Sequence, residues 1–245
     1  MRIIIVRHGE PNYELDSLTE RGFREAELLS NALVNAGITD IYCSPLGRAQ
    51  RTAEPTAKKC GLPVETLPWL REFNARIGDP YNPGKTRIPW NLTPRFWTSQ
   101  PEFYTIDRWQ ENPYIRQGDM VEKYHAVTAA FDELLARYGC TRMENGLYRC
   151  EENPNKTIAL FCHFGLGMLL VSYLTRMSPF MLWQNFFMAP SSVTTFITEE
   201  REKGELFFKC MQLGDTSHLL AGGQEVSHSG LYPEFFGGEG CGPQV

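Results

Sequence analysis

Two distant stretches of the chain follow one pattern. Ile3-Ile4-Ile5-Val6 runs into Arg7-His8-Gly9, and Ile158-Ala159-Leu160-Phe161-Cys162 runs into His163-Phe164-Gly165. A short continuous apolar run of this kind reads as a strand buried on both faces. Such strands form sheets covered by helices, and open α/β sheets bind ligands just beyond the carboxyl ends of their strands. Each run delivers a histidine to that place, so His8 and His163 can face each other over one pocket.

The rest of the chain agrees with this architecture. Thr19 is an N-cap, and Phe23, Ala26, Leu29 and Leu33 recur at helical spacing until Gly37 closes the helix. Residues 38–43 read as a second strand, 48–59 as a helix stopped by Gly61, and 63–67 as a third strand. A helix over 121–138 precedes an Asn145-Gly146 hairpin. The strand at 157–162 leads into a helix through Leu174, and 193–198 and 205–211 read as a strand pair. The Gly-rich tail after Leu220 has no periodicity. The expected fold is a single α/β domain over 1–245, a three-layer sandwich around a mostly parallel sheet.

Segment 73–118 breaks the rhythm. It carries six prolines, the aromatics Trp90, Phe96, Trp97, Phe103, Tyr104 and Trp109, and the arginines Arg87, Arg95, Arg108 and Arg116. A stretch this long without periodicity reads as a functional loop, here a substrate cap, or equally as a cover over one end of the sheet.

Composition narrows the function classes. A net charge of −5 over 245 residues, without a basic stripe, argues against nucleic acid as a partner. The seven cysteines (Cys43, Cys60, Cys140, Cys150, Cys162, Cys210, Cys241) include no C-x-x-C pair, which argues against a disulfide framework or zinc ribbon and for the reducing cytoplasm. Cys140 and Cys150 could lie across the Asn145-Gly146 hairpin, but a bond between them is not expected. The run 3–6 is too short for a secretory signal, and 157–174 is interrupted by His163, Gly165 and Gly167, so no membrane association is expected. The sequons at Asn91 and Asn155 then carry no meaning.

A metal site on His8, Glu10 and His163 competes for the two junctions, but it lacks the tight ligand spacing of zinc motifs and a cluster of carboxylates. Either histidine alone could be a core residue satisfied by backbone, although Arg7 and Arg48 nearby weaken that reading.

The ordered set Arg7-His8-Gly9-Glu10, Leu18-Thr19 with Gly22 and Ala26, Cys43-Ser44-Pro45-Leu46 with Arg48-Ala49 and Thr52-Ala53, Leu70 and Glu72, His163, Ser191-Ser192-Val193 and Thr216-Ser217-His218-Leu219 resembles the histidine phosphatase (phosphoglycerate mutase-like) superfamily. The resemblance implies that His8 accepts the phosphoryl group as a phosphohistidine, its other ring nitrogen held as a donor by a backbone carbonyl. It implies that Arg7 and Arg48 grip the phosphoryl oxygens and that His163 adds a donor, better if protonated. Helix N-termini after Pro45 and Gly165 could aim N–H groups at the same anion. No cofactor or metal is required, because the positive charge is already supplied.

Glu72 matches the position of a general acid, with Asp79 and Glu10 in reserve. Where many relatives carry a phosphate-contacting asparagine this chain has Glu14, so Asn12 is the substitute candidate. His218 reads as structural, His125 as a helix-surface residue, and His228 has no assigned role. The expected function is a phosphomonoester phosphatase acting on a small phosphorylated metabolite. The alternatives are a phosphoglycerate mutase and a non-catalytic phospho-ligand-binding protein on the same scaffold. A homodimer is compatible with the sequence.

Overall fold

The computed structural model describes residues 1–151 and 154–233; the end of the Gly-rich tail, with Cys241, lies outside the described residues. Along the chain come β1 (Arg2–Arg7), a ribbon of β2 (Pro11–Asn12) and β3 (Ser17–Leu18), α1 (Glu20–Leu33), β4 (Asp40–Cys43), α2 (Gly47–Cys60) and β5 (Val64–Thr66). There follow a ribbon of β6 (Ile77–Gly78) and β7 (Thr86–Arg87), α3 (Pro94–Trp97), α4 (Met120–Ala136), β8 (Cys140–Arg142) and β9 (Tyr148–Cys150). The described chain closes with β10 (Thr157–Cys162), α5 (Phe164–Thr175), α6 (Pro179–Asn185), β11 (Val193–Glu202), β12 (Glu205–Asp215) and α7 (Ser217–Ala221).

One sheet takes the strand order β5-β4-β10-β1-β11-β12-β9-β8. It is parallel from β5 through β1, the half that carries both histidine junctions, and antiparallel from β1 onward. The period-2 alternation of β1 divides the core. Ile3 and Ile5 join Leu160, Phe131, Leu169 and Phe180 on one face, while Ile4 and Val6 join Phe161, Leu29, Leu33 and Ala53 on the other. Helices thus cover both faces, in three layers.

Thr19 caps α1 as expected, accepting from the Gly22 amide at 3.1 Å. Phe23 departs from the expected buried stripe and is 48% exposed, while Gly22 and Glu25 turn inward with Ala26. The backbone of Glu10 explains this: a Cβ on Gly22 would stand 2.2 Å from the Glu10 carbonyl oxygen. Only glycine lets α1 approach the loop after β1 so closely, and that approach rotates Phe23 to solvent.

Segment 73–118 is a packed cap with little regular structure. Phe73, Ala75, Ile77, Leu92, Phe103, Trp109 and Ile115 enter the larger core, and Phe103 stacks on Phe180 of α6 with ring centroids 3.9 Å apart. The cap's packing partner, α6, has no counterpart among the elements expected from the sequence.

The β8–β9 hairpin corrects one expectation. Cys140 and Cys150 stand opposite each other in register and form a disulfide. Scattered cysteines had argued against such a bond; a hairpin turning at Gly146, with φ +82°, brings this pair together regardless of the others. The inference of a reducing compartment loses part of its basis. No helix among the described residues is long and apolar enough to cross a membrane.

Candidate active site

Because β1 and β10 are parallel neighbours in register, with Arg7 opposite Cys162, both strands end at the same level. The His8 amide donates to Cys162 O at 3.0 Å, and His8 O accepts from the Ser191 amide at 3.0 Å. The loop continues into α2 and α1: Gly9 N donates to Thr52 Oγ1 at 2.9 Å, and Glu10 N to Glu25 Oε2 at 2.7 Å. His8 is 2% exposed, and its Nδ1 lies 2.7 Å from Gly9 O. A carbonyl can only accept, so Nδ1 carries the proton and Nε2 keeps the lone pair.

The His163 ring stands 5.1 Å from that of His8, centroid to centroid. Its Nε2 pairs with Ser44 Oγ at 2.7 Å, while its Nδ1 is buried without a partner among the described residues. Burial first, then Arg7 and Arg48, pull the pKa of His8 well below 6.5; burial, then His8 and the arginines, do the same for His163. Both rings are therefore neutral in the empty site. That suits His8 as a nucleophile.

Arg7, 3% exposed, donates to the carbonyls of Met188 and Ser229, the latter at 3.2 Å, and lies over the rings of Phe187 and Phe164 at 5.5 and 5.8 Å. Arg48 pairs with Asp16 at 2.7 Å. The Nε of each arginine is buried and without a partner among the described residues, a donor for an incoming anion.

The two helix N-termini offered to phosphate by the sequence are already in use. Asp16 Oδ2 accepts from Gly47 N, at the start of α2, at 2.7 Å. Glu72 caps α5: its Oε1 accepts from Leu166 N at 3.0 Å and its Oε2 from Gly165 N at 3.3 Å. Carboxylates of the chain itself thus take the anion positions that helix ends provide. Asp16 was not anticipated, since nothing in the spacing of residues 16 and 48 indicates their meeting.

Arg7, His8, Arg48 and Glu72 line one cavity of about 290 Å³, with Tyr13, Asn74, Arg76, Trp90, Phe164 and Phe187 among the other walls. Asn12 is not among them. It belongs to the tight β2–β3 ribbon, where its Oδ1 accepts from Leu15 N at 3.2 Å, and Tyr13 takes the place beside Arg48. Glu14 is exposed and points no charge at the site. The reserve acids are engaged elsewhere: Asp79 pairs with Arg87 at 3.0 Å, and Glu10 accepts from Thr19 Oγ1 and Ser227 Oγ at 2.9 and 2.6 Å. With Glu10 so held, the metal-ligand set His8, Glu10 and His163 is not assembled, and no such cluster occurs among the described residues. His218 pairs with Ser191 Oγ at 3.1 Å and so supports the loop that holds His8 O.

Asp16 competes electrostatically with an anionic ligand. Asp16→Asn should tighten inhibition by inorganic phosphate about two- to fivefold, the scale of a half-exposed charge pair. Weaker inhibition would mean that Asp16 chiefly positions Arg48.

Comparison with known proteins places the chain in a family. Probable phosphoglycerate mutases of Yersinia pestis and Yersinia pseudotuberculosis are 43% identical over 86 residues, covering 31% of this chain and 40% of theirs, so the match spans less than half of those relatives. Among solved structures, the phosphoserine phosphatase of Entamoeba histolytica superposes with TM-score 0.56 at 20% identity, covering 89% of this chain and 98% of that one. A mycobacterial glucosyl-3-phosphoglycerate phosphatase gives 0.58 at 21% over 89% and 98%, and the alpha-ribazole phosphatase of Shigella flexneri 0.53 at 21% over 88% and 96%. These likenesses establish a shared fold. The model of the histidine phosphatase superfamily (branch 1) matches residues 3–209, a span that takes in both histidine junctions, both arginines and Glu72, and the chain belongs to that superfamily.

Proposed function

We propose that the protein is a metal-independent phosphomonoester phosphatase that works through a phosphohistidine on His8. The observation that carries this reading is the state of His8: Nδ1 donates to Gly9 O, leaving Nε2 with a free lone pair beside His163 and the two arginines. Nε2 attacks phosphorus as the bond to the ester oxygen breaks, and Glu72 gives its proton to the departing oxygen. Water then attacks the phosphohistidine, the N–P bond breaks, and Glu72 takes back a proton. Arg7, Arg48 and the unpartnered Nδ1 of His163 hold the phosphoryl oxygens throughout. Asn12 has no part in this assignment.

The mutase alternative draws on the names of the Yersinia relatives. A mutase must retain the phosphoryl group and return it to a bound acid. A panel of phosphorylated metabolites assayed for released phosphate, with isomerisation of 3-phosphoglycerate followed beside it, separates the two. Net phosphate release is expected; isomerisation without release would establish the mutase.

Turnover should be unaffected by EDTA, because Arg7 and Arg48 supply the charge that a divalent ion would otherwise bring. Activity lost to the chelator and restored by a divalent ion would replace this mechanism with a metal-assisted one.

A further inference from the structure

A second cavity, of about 490 Å³, abuts the first, and Trp90, Phe164, Phe187 and Gly230 line both. Its other walls include Leu92 and Trp97 of the cap, Trp183 and Phe186 from α6 and its end, and Leu231. Among the described residues no charged side chain lines it. Its polar groups are neutral: Gln184 donates to Pro89 O at 3.1 Å, Asn185 to Met181 O at 2.9 Å, Asn91 accepts from Tyr232, and the Thr93 hydroxyl pairs with that of Tyr81 at 2.8 Å. Rings supply its apolar wall, with Trp90 lying 5.6 Å from Trp183 and 6.0 Å from Phe164.

The start of α5 ties this chamber to the reaction. A Cβ on Gly165 would stand 2.4 Å from the Trp90 indole and 2.8 Å from Glu72 Oε1. Glycine therefore lets the proposed acid and the chamber wall meet at one point. A leaving oxygen protonated by Glu72 has its carbon skeleton beside Trp90, at the boundary of the second cavity.

Resting on the phosphatase reading, we propose that this chamber receives the alcohol portion of the ester and that the substrates are phosphomonoesters of neutral, ring-bearing alcohols. A carboxylate or second phosphate on the alcohol would lose hydration in a chamber whose described walls offer no cation to pair with it. Arg76, which could hold such a group, lines the first cavity and not the second.

Alkyl esters with similar leaving groups isolate the effect from intrinsic reactivity. Naphthylethyl phosphate should be hydrolysed with a kcat/KM at least about tenfold above those of glycerol phosphate and 3-phosphoglycerate, the gain expected from stacking on one or two rings. Trp97→Ala, and independently Phe186→Ala, should remove most of that preference while leaving glycerol phosphate turnover within about twofold, which also shows that the variants fold. Equal kcat/KM across the esters, a preference for 3-phosphoglycerate, or a preference kept in both variants would overturn the proposal. Binding of naphthylethanol, read by quenching of tryptophan fluorescence, provides a measure independent of turnover. If no ester is hydrolysed in a His8-dependent way, the phosphatase reading falls; binding lost in Trp97→Ala would still support the chamber, and no binding would overturn it.

Discussion

His8→Ala should lower kcat/KM by roughly five orders of magnitude, the scale seen when a covalent nucleophile is removed. The nearby groups are poor substitutes. His163 Nε2 is committed to Ser44, and the Cys43 and Cys162 thiols are buried, with the pKa of Cys43 pushed up to about 12. Rapid quench of the unaltered enzyme with labelled substrate should trap a phosphoenzyme stable to base and lost in acid, as a phosphoramidate is, and His8→Ala should trap none. The depressed pKa of His8 adds a pH signature. Protonation of Nε2 removes the lone pair, so activity is lost as pH falls through that pKa, well below 6.5. Normal turnover by the alanine variant, or label that survives acid, would end the phosphohistidine mechanism.

Glu72→Gln should slow alkyl phosphates by roughly a hundredfold or more, the usual scale of general acid catalysis, and aryl phosphates much less. An alkoxide leaves only as it gains a proton, whereas a phenolate is stable enough to leave without one. Glu72 Oε1 accepts from both Phe73 N, at 2.7 Å, and Leu166 N, at 3.0 Å, while Oε2 has only the 3.3 Å bond from Gly165. Each carboxyl oxygen has two lone-pair directions, so Oε2 is the atom with room for the proton. Burial raises the pKa above 4.5, against the pull of those three amides and Arg7. The acid must be protonated to act. Alkyl phosphate turnover should therefore decline as pH rises through the raised pKa, and this limb should vanish in the glutamine variant. Equal losses on alkyl and aryl esters would make Glu72 a cap that orders α5 and not a donor.

The histidine junctions were legible because a buried strand and the residue at its end are adjacent in sequence. Thr19 and Gly61 were legible for the same reason, since a cap is read from its immediate neighbours. What escaped depends on contacts between distant elements. Asp16 reaches Arg48 and Gly47 only because the β2–β3 ribbon is laid against α2, and Glu72 meets Gly165 only because the fold brings together residues 93 apart in the chain. The same distance hid the exposure of Phe23, which is set by how closely Gly22 meets Glu10. The opposed positions of Cys140 and Cys150 were readable from the hairpin, whereas a count of cysteines over the whole chain says nothing about one pair placed in register.

The position of β1 bears on how the molecule comes to exist. The strand that delivers His8 pairs with β10 and β11, with Arg2 opposite Thr157 and Ile197. A growing chain emerges from the ribosome amino end first, so Ile3–Val6 wait without flanking strands until β10 and β11 have been made. Pairing of this non-local kind is slow, and an unpaired apolar strand is a hazard for aggregation while it waits. His8 is therefore translated well before the strands that complete the surrounding in which it is reactive.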